Sequence, residues 1–357
     1  MTYNILILGA SYGSLLASKL MMAGHSVTFA CSAEEASLIN SEGFFVRMPV
    51  RGRAEPVVVE SRKLSGKAVA ATYGDADPAG FDLIVLALPE PQYRGTNVRE
   101  LLDKVAKSRK PTMALMNMPP LAFIRRLPGI DHDALKAAYN DASVWDGFDP
   151  PKLTLCSPDA QAIRPPEERA NVLQVTLPTN LKVAAFDDAA STAILRQLED
   201  DIVAARFAAP EGEIELPVKL KVQDALFGAL AKWPMLVTGN YRCVTEDGVR
   251  TAQEAVHTDL EESRSVYAFV NGVCEKLGAT GEDLVPFEKY AKAAESLVRP
   301  AAAARGVNSG DVSIERVDKL VQLTAKQLGL SHPVLDGMVA LIDKRLERNR
   351  EAAAAKA

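Results

Sequence analysis

The sequence predicts an α/β protein in which a doubly wound, mostly parallel sheet over residues 1–210 is followed by a second, all-α domain at 211–349 and a frayed tail at 350–357. Three observations carry this. Short apolar runs, uninterrupted rather than alternating, stand at 5–8, 81–88 and 111–117, as expected of strands covered on both faces. Helical patterns separate them, which is the order of a parallel sheet with crossover helices. From about residue 215 the strand-like runs give way to long helical ones. A chain of 357 residues is also long enough for two cores, since single cores stop growing near ~250 residues.

Ile5–Leu8 ends at Gly9 and reads as a first buried strand. After Ser14, the spacing of Leu15, Leu16, Leu20 and Met21 predicts an amphipathic helix, stopped by Gly24. VTFAC at 27–31 completes a strand–turn–helix–strand unit. FDLIVLAL (81–88), NVRELLDKVAKS (97–108) and PTMALMN (111–117) continue the alternation. Past an irregular, proline-rich passage at 149–167, KLTLCS (152–157) and NVLQVTLP (171–178) read as strands and TAILRQLEDDIVAARF (192–207) as a helix. The boundary is placed at APEGE, near 210, where proline and glycine interrupt two helical patterns. LPVKLKVQDALFGALAKWPMLV, the region from EAVHTDL to EKLG, and SIERVDKLVQLTAKQLGL read as long helices. REAAAAKA at the end has no apolar face and is expected to fray.

With 41 basic against 46 acidic residues and a formal charge of −5, no concentrated basic excess is available for a nucleic-acid partner. Arg47, Arg51 and Arg53, the densest basic spot near the N-terminus, read first as the solvated face of a hairpin. The four cysteines, Cys31, Cys156, Cys243 and Cys274, have no metal-ligand spacing and suit reduced thiols in the cytoplasm. No stretch approaches the ~20 apolar residues needed to span a bilayer, so no membrane partner is expected.

Gly9, Ser11 and Gly13 spell G-x-S-x-G between a strand and a helix, a pattern shared by hydrolase nucleophiles and phosphate-binding turns. A nucleophile elbow needs an oxyanion-hole loop from an earlier strand, whereas the first βα turn of a doubly wound sheet is where a dinucleotide diphosphate binds. In that second reading Gly9 permits the tight turn, Gly13 allows close packing of the helix, and the amides at the helix start face the diphosphate, with Ser14 as an added hydroxyl donor. The strand at 27–31 ends on Cys31-Ser32-Ala33 with no carboxylate before Glu34. This favours NADP over NAD, with Ser32 as donor to a 2′-phosphate and one of Arg47, Arg51 or Arg53 as its cation.

LGASYGSLLASKLMMAGHSVTFACS resembles the opening of the ketopantoate reductase family, where a glycine turn, S-L-L-A and A-G-H-x-V-T follow one another. The family joins a Rossmann domain to an all-α domain of the kind shared with 6-phosphogluconate dehydrogenase, with its site in the cleft between them. The resemblance implies reduction of a 2-keto acid to a 2-hydroxy acid by NADP(H). It implies cofactor contacts from Gly9, Ala10, Ser11, Tyr12, Gly13, Ser14, Ser32, Leu88 and Asn117. Asn117 stands for the Asn of the family's H-N-G segment and also faces substrate. Lys219 in LPVKLKVQDAL stands for the catalytic lysine of K-L-x-V-N, and Gln223 for the Asn that follows. Glu315 takes the place of the Glu of T-E-I-D, and Ser296 that of a substrate-binding Ser. A cationic lysine can stabilise the developing alkoxide and donate its proton. On a helix Lys219 and Gln223 would share one face.

The chain departs from the pattern in three places. Pro89-Glu90 replaces a lysine after the 81–88 strand, M-N-M replaces H-N-G, and Ser32 replaces an arginine. The expected substrate is therefore a keto acid not fixed as ketopantoate. A homodimer through the helical domain is compatible with the sequence. Two alternatives remain: an opine-dehydrogenase-like condensation, for which His257 would be the acid/base, and a nucleotide-binding sensor without turnover.

Overall fold

The computed structural model describes residues 1–356, which form two compact units. The first comprises Met1–Arg126 and Ser143–Ala229. Its elements run β1 (Asn4–Leu8), α1 (Ala10–Met22), β2 (Ser26–Cys31), α2 (Ala33–Glu42), β3 (Phe45–Met48), β4 (Val57–Glu60), β5 (Ala68–Thr72), β6 (Leu83–Leu86), α3 (Thr96–Ser108), β7 (Thr112–Leu115) and α4 (Leu121–Ile124). Then come β8 (Leu153–Ser157), β9 (Gln161–Ile163), β10 (Val172–Leu177), β11 (Leu181–Ala184), α5 (Ala189–Ala204), β12 (Phe207–Ala209), β13 (Gly212–Ile214) and β14 (Leu220–Gln223). The main sheet has eight strands in the order β14-β11-β8-β7-β6-β1-β2-β5. From β8 to β5 every pairing is parallel; β11 runs antiparallel to β8, and β14 parallel to β11.

Ile5 to Leu8 and Leu83 to Leu86 are all fully buried, as strands covered on both faces require, and each such side chain stabilises the unit by about 1.5–3 kcal/mol. Gly13 lets α1 lie against β1, because a Cβ there would stand 2.6 Å from Ile7 Cγ2.

NVLQVTLP is a strand, as its pattern predicts, and β10 pairs with β3 and β9 in a second sheet ordered β4-β3-β10-β9. Three expectations are corrected. KLKVQ is a strand, not a helix. Leu220 and Val222 are buried while Lys221 and Gln223 are half-exposed, a period of two that parallel pairing with β11 selects. The boundary does not fall at 210, since APEGE is the turn of the β12-β13 hairpin, with Gly212 at φ 126°. Because β14 extends the sheet, the chain leaves the first unit only within α6 (Phe227–Leu230). Finally, the tail is helical as far as Ala354.

The second unit comprises 127–142 and residues from Leu230 onward. It holds α7 (Trp233–Met235), α8 (Ala252–His257), α9 (Leu260–Lys276), α10 (Phe287–Ala294), α11 (Ala302–Ser309), α12 (Val317–Gln327) and α13 (Pro333–Ala354). Residues 127–142, which the sequence places with the sheet, are held here instead by hydrogen bonds. Asp131 N–H donates to Gln327 Oε1 at 2.6 Å, and Asn140 Nδ2 donates to the Ile314 carbonyl at 3.0 Å. Tyr267, Phe287 and Tyr290 form an aromatic core. The buried Asp318 accepts from Arg316, which also reaches Asp343. Among the described residues no helix is long and apolar enough to cross a membrane.

Candidate functional site

Because β7, β6, β1, β2 and β5 are parallel neighbours, their C-terminal ends lie along one edge of the sheet. That edge presents Asn117, Leu88, Gly9, Ser32 and Tyr73 in order, on strands spaced about 4.8 Å apart.

At its centre Gly9 caps α1 with φ 101° and ψ 108°, and no side chain caps the helix start. Only glycine fits: a Cβ would meet Leu88 Cδ2 at 2.7 Å and the Ala87 carbonyl oxygen at 2.9 Å. The first amides of α1, from Ala10 to Tyr12, therefore face outward without intrahelical or side-chain partners. Two strands away, Asn117 Oδ1 is buried and has no hydrogen-bond partner. The uncapped positive helix end suits an anionic group and the orphaned amide oxygen on the same sheet edge a hydrogen-bond donor, and a dinucleotide carries both.

Neighbouring side chains have other duties. The Ser14 hydroxyl, expected to face the ligand, donates instead to the Ser11 carbonyl at 2.8 Å. Tyr12 hydroxyl donates to the Ala160 carbonyl at 2.6 Å, tying the loop between β8 and β9 to the first turn of α1. Leu88 N–H donates to the Tyr93 hydroxyl at 3.1 Å. Of the three arginines expected near Ser32, Arg47 pairs with Glu168 at 2.5 Å and Arg53 with Glu211. The arginine that reaches the end of β2 is Arg164, through Glu35 at 2.5 Å. No local pattern in the sequence marks it.

Lys219 departs most from its expected place. It precedes β14 and forms an ion pair with Glu215 at 2.5 Å. Its backbone N–H donates to Asn180 Oδ1. It stands beside Lys19, in the last turn of α1, whose ammonium donates to the carbonyls of Leu216 and Pro217 at 3.1 and 3.2 Å. Burial, then the Lys219 charge, pushes Lys19 down to about 8. Lys19 lies about 13 Å of helix rise from the start of α1, so Lys219 is not placed at the glycine turn. Gln223 packs its side chain on Gly228 and, being on a strand, shares no helical face with Lys219.

In the second unit, Glu315 lies two residues before α12, and its carbonyl accepts from the Tyr241 hydroxyl at 2.8 Å. Its neighbours Ile314 and Arg316 line a cavity of about 400 Å³ together with Tyr139, Asn140, Ser313 and Lys319. Ser296 is exposed just after α10 and donates to the Ala293 carbonyl. His257 has Nε2 against the Ala291 carbonyl at 3.0 Å. Among the described residues no cluster of His, Cys, Asp or Glu could hold a metal.

The sequence matches no family model and no curated relative. Solved structures are similar over nearly the whole chain. The 2-dehydropantoate 2-reductase of Methylococcus capsulatus superposes with a TM-score of 0.64 at 12% identity, covering 97% of each chain. A ketopantoate reductase of Staphylococcus aureus, described as dimeric, gives 0.62 at 11% identity over 97% of this chain and 99% of that one. D-Mandelate dehydrogenase, solved with NADH, gives 0.58 at 15% identity over 97% and 99%. At these identities the likeness is one of fold: this chain has the fold of the ketopantoate reductases.

Proposed function

We propose that the protein is a nicotinamide-dinucleotide-dependent reductase that converts a 2-keto acid to a 2-hydroxy acid, with NADP(H) preferred to NAD(H). The observation that carries this reading is the orphaned Oδ1 of Asn117, on the same sheet edge as the uncapped glycine turn. A bound dinucleotide supplies the hydride. The chain supplies the amides of Ala10 to Tyr12 for the diphosphate and the Asn117 side chain to orient the reacting end. Fold likeness to the ketopantoate reductases and to D-mandelate dehydrogenase supports the substrate class. We further take the protein to act in the cytoplasm, and to form a homodimer as the similar Staphylococcus aureus enzyme does.

A second reading, dinucleotide binding without turnover, is favoured by the ion pair of Lys219 with Glu215 beside the far end of α1. The two separate in one assay. NADPH fluorescence measures binding, and loss of NADPH absorbance measures turnover with a panel of 2-keto acids, each with and without amino acids. The reductase reading expects binding and oxidation with at least one keto acid, and a fall of about 10- to 100-fold in kcat/KM for Asn117→Ala. Binding with no turnover across the panel leaves the second reading. A requirement for an amino acid identifies the opine-type reaction.

A further inference from the structure

We propose that Arg164 is the residue by which this chain recognises the 2′-phosphate of NADP(H), an inference that rests on the dinucleotide reading above. The position of the ribose is set by the topology: in a doubly wound sheet the adenosine ribose lies over the end of the second strand, beyond the glycine turn. Here that strand is β2, and it ends at Cys31. A carboxylate there clasps the 2′-hydroxyl, whereas an arginine nearby accepts a 2′-phosphate.

The end of β2 holds both groups, and their hydrogen bonds decide between them. Ser32 caps α2 in a reciprocal arrangement: Glu35 N–H donates to Ser32 Oγ at 3.2 Å, while Ser32 N–H and hydroxyl donate to Glu35 Oε2 at 3.2 and 2.8 Å. The other carboxylate oxygen, Oε1, accepts from Arg164 at 2.5 Å. Both oxygens of Glu35 are thus engaged, and the carboxylate is 14% exposed. Three of the roughly four acceptor sites of that carboxylate are taken, so a ribose diol arriving here finds one lone pair where a clasp of both hydroxyls needs two.

Arg164 is in the opposite condition. Its side chain is 33% exposed, and among the described residues Glu35 is its one hydrogen-bond partner. A guanidinium has five N–H donors in a planar fork that matches phosphate oxygens, so most of that fork stays available. Its position is fixed from two sides. It follows β9, whose approach is tied to the first turn of α1 by the Tyr12–Ala160 hydrogen bond. Glu35 then holds the side chain against the N-terminus of α2. Glu35 also offsets part of the charge an isolated guanidinium would offer, and its role is to position Arg164 rather than to bind the ligand. Arg164 so placed supplies the cation that Ser32 cannot.

The test is calorimetric binding to the full-length protein, with NADPH, NADH, adenosine 2′-monophosphate and adenosine 5′-monophosphate as ligands. Wild type is expected to bind each 2′-phosphorylated ligand at least about 10-fold tighter than its partner, the range of a charge-assisted hydrogen bond. Arg164→Ala should weaken NADPH and adenosine 2′-monophosphate by at least that factor while leaving NADH within about threefold, which also shows that the variant is folded. Arg164→Lys, keeping the charge without the fork, should fall between. Parallel weakening of NADPH and NADH in Arg164→Ala, or a wild type that does not prefer the 2′-phosphate, overturns the assignment alone. A wild type that binds none of the four overturns the dinucleotide reading and this inference with it.

Discussion

Replacing Gly9 by alanine tests the glycine turn by an amount the structure specifies. At φ 101° the backbone lies where L side chains are strained, at a cost of about 1–2 kcal/mol. The new Cβ also meets the Ala87 carbonyl oxygen at 2.9 Å and Leu88 Cδ2 at 2.7 Å. Leu88 can rotate, but the carbonyl belongs to backbone just beyond β6 and must be pushed, adding about 1–3 kcal/mol. The sum is about 3 kcal/mol, which in a unit of this size lowers the melting temperature by about 6–12 °C. Gly24→Ala is the control: its φ is +87°, yet nothing lies within 4 Å of its Cβ, so it carries the backbone term without the collision. Thermal melts of both variants, with and without saturating NADPH, separate the effects. Gly9→Ala should melt well below Gly24→Ala and gain little from NADPH, because the displaced turn no longer aims its amides. Equal melting temperatures and equal stabilisation by NADPH would refute the claim that this turn is both packed against β6 and the seat of the diphosphate.

Lys219→Ala is expected to leave kcat/KM within about threefold of wild type and to cost under about 1 kcal/mol, since it breaks a part-exposed ion pair; a hundredfold loss of turnover would reinstate the lysine. Lys19 predicts a pH effect. Its folded value of about 8 lies below the 10.5 of an exposed lysine, so between these pH values the unfolded chain holds the extra proton and stability rises with pH. Denaturant melts at both ends of the window should show wild type gaining up to about 3 kcal/mol relative to Lys19→Met, the comparison cancelling the opposing effect of Cys31 and Cys274, whose buried thiols are pushed up to about 12; a pH-independent difference refutes it. In the second unit, Arg316→Ala strips the fully buried Asp318 of its cation and should cost about 3–5 kcal/mol by chemical denaturation. A loss under 1 kcal/mol would mean that Asp318 is not relying on this pair.

The first βαβ unit was legible because its causes are local: an apolar run, a glycine that must adopt positive φ, and a helical spacing of leucines all lie within thirty residues. The second sheet was not. β10 is an ordinary strand by pattern, and what sends it to β3 is a pairing across more than a hundred residues that no local feature announces. β14 was misread for a related reason. Four residues of alternating burial are too few to distinguish strand from helix by period, and the decision rests with the partner strand β11. At the site the same division holds. Gly13 answers to Ile7 on the strand before it and Gly9 to its own positive φ, whereas Arg164 becomes visible only when folding brings it to Glu35, 129 residues away.

The position of Lys219, beside Lys19 in the last turn of α1, has a consequence for the chemistry. After the sheet the chain passes through α6 and a turn into α7, whose end continues as Met235-Leu236-Val237-Thr238-Gly239-Asn240. Set against a K-L-x-V-N pattern, with Leu236 in register, this puts Met235 where the lysine would stand and Gly239 where the asparagine would. Gly239 is not an idle replacement. A Cβ there would lie 1.9 Å from the Tyr290 hydroxyl, which donates to the Met235 carbonyl at 3.1 Å. Tyr290 thus fills the space that a side chain at 239 would need, within a stretch wound as a π-helix from Leu236 to Asn240. Neither half of the expected lysine–asparagine pair is therefore available in this register. If this register holds and Lys219 takes no part, a reductase built on this chain would take its proton from another group, and a chain with no such group would bind the dinucleotide and stop there. Turnover with the keto-acid panel is for this reason the measurement on which the two readings divide, and Asn117, whose amide oxygen lacks a partner, is the residue whose loss should matter under either.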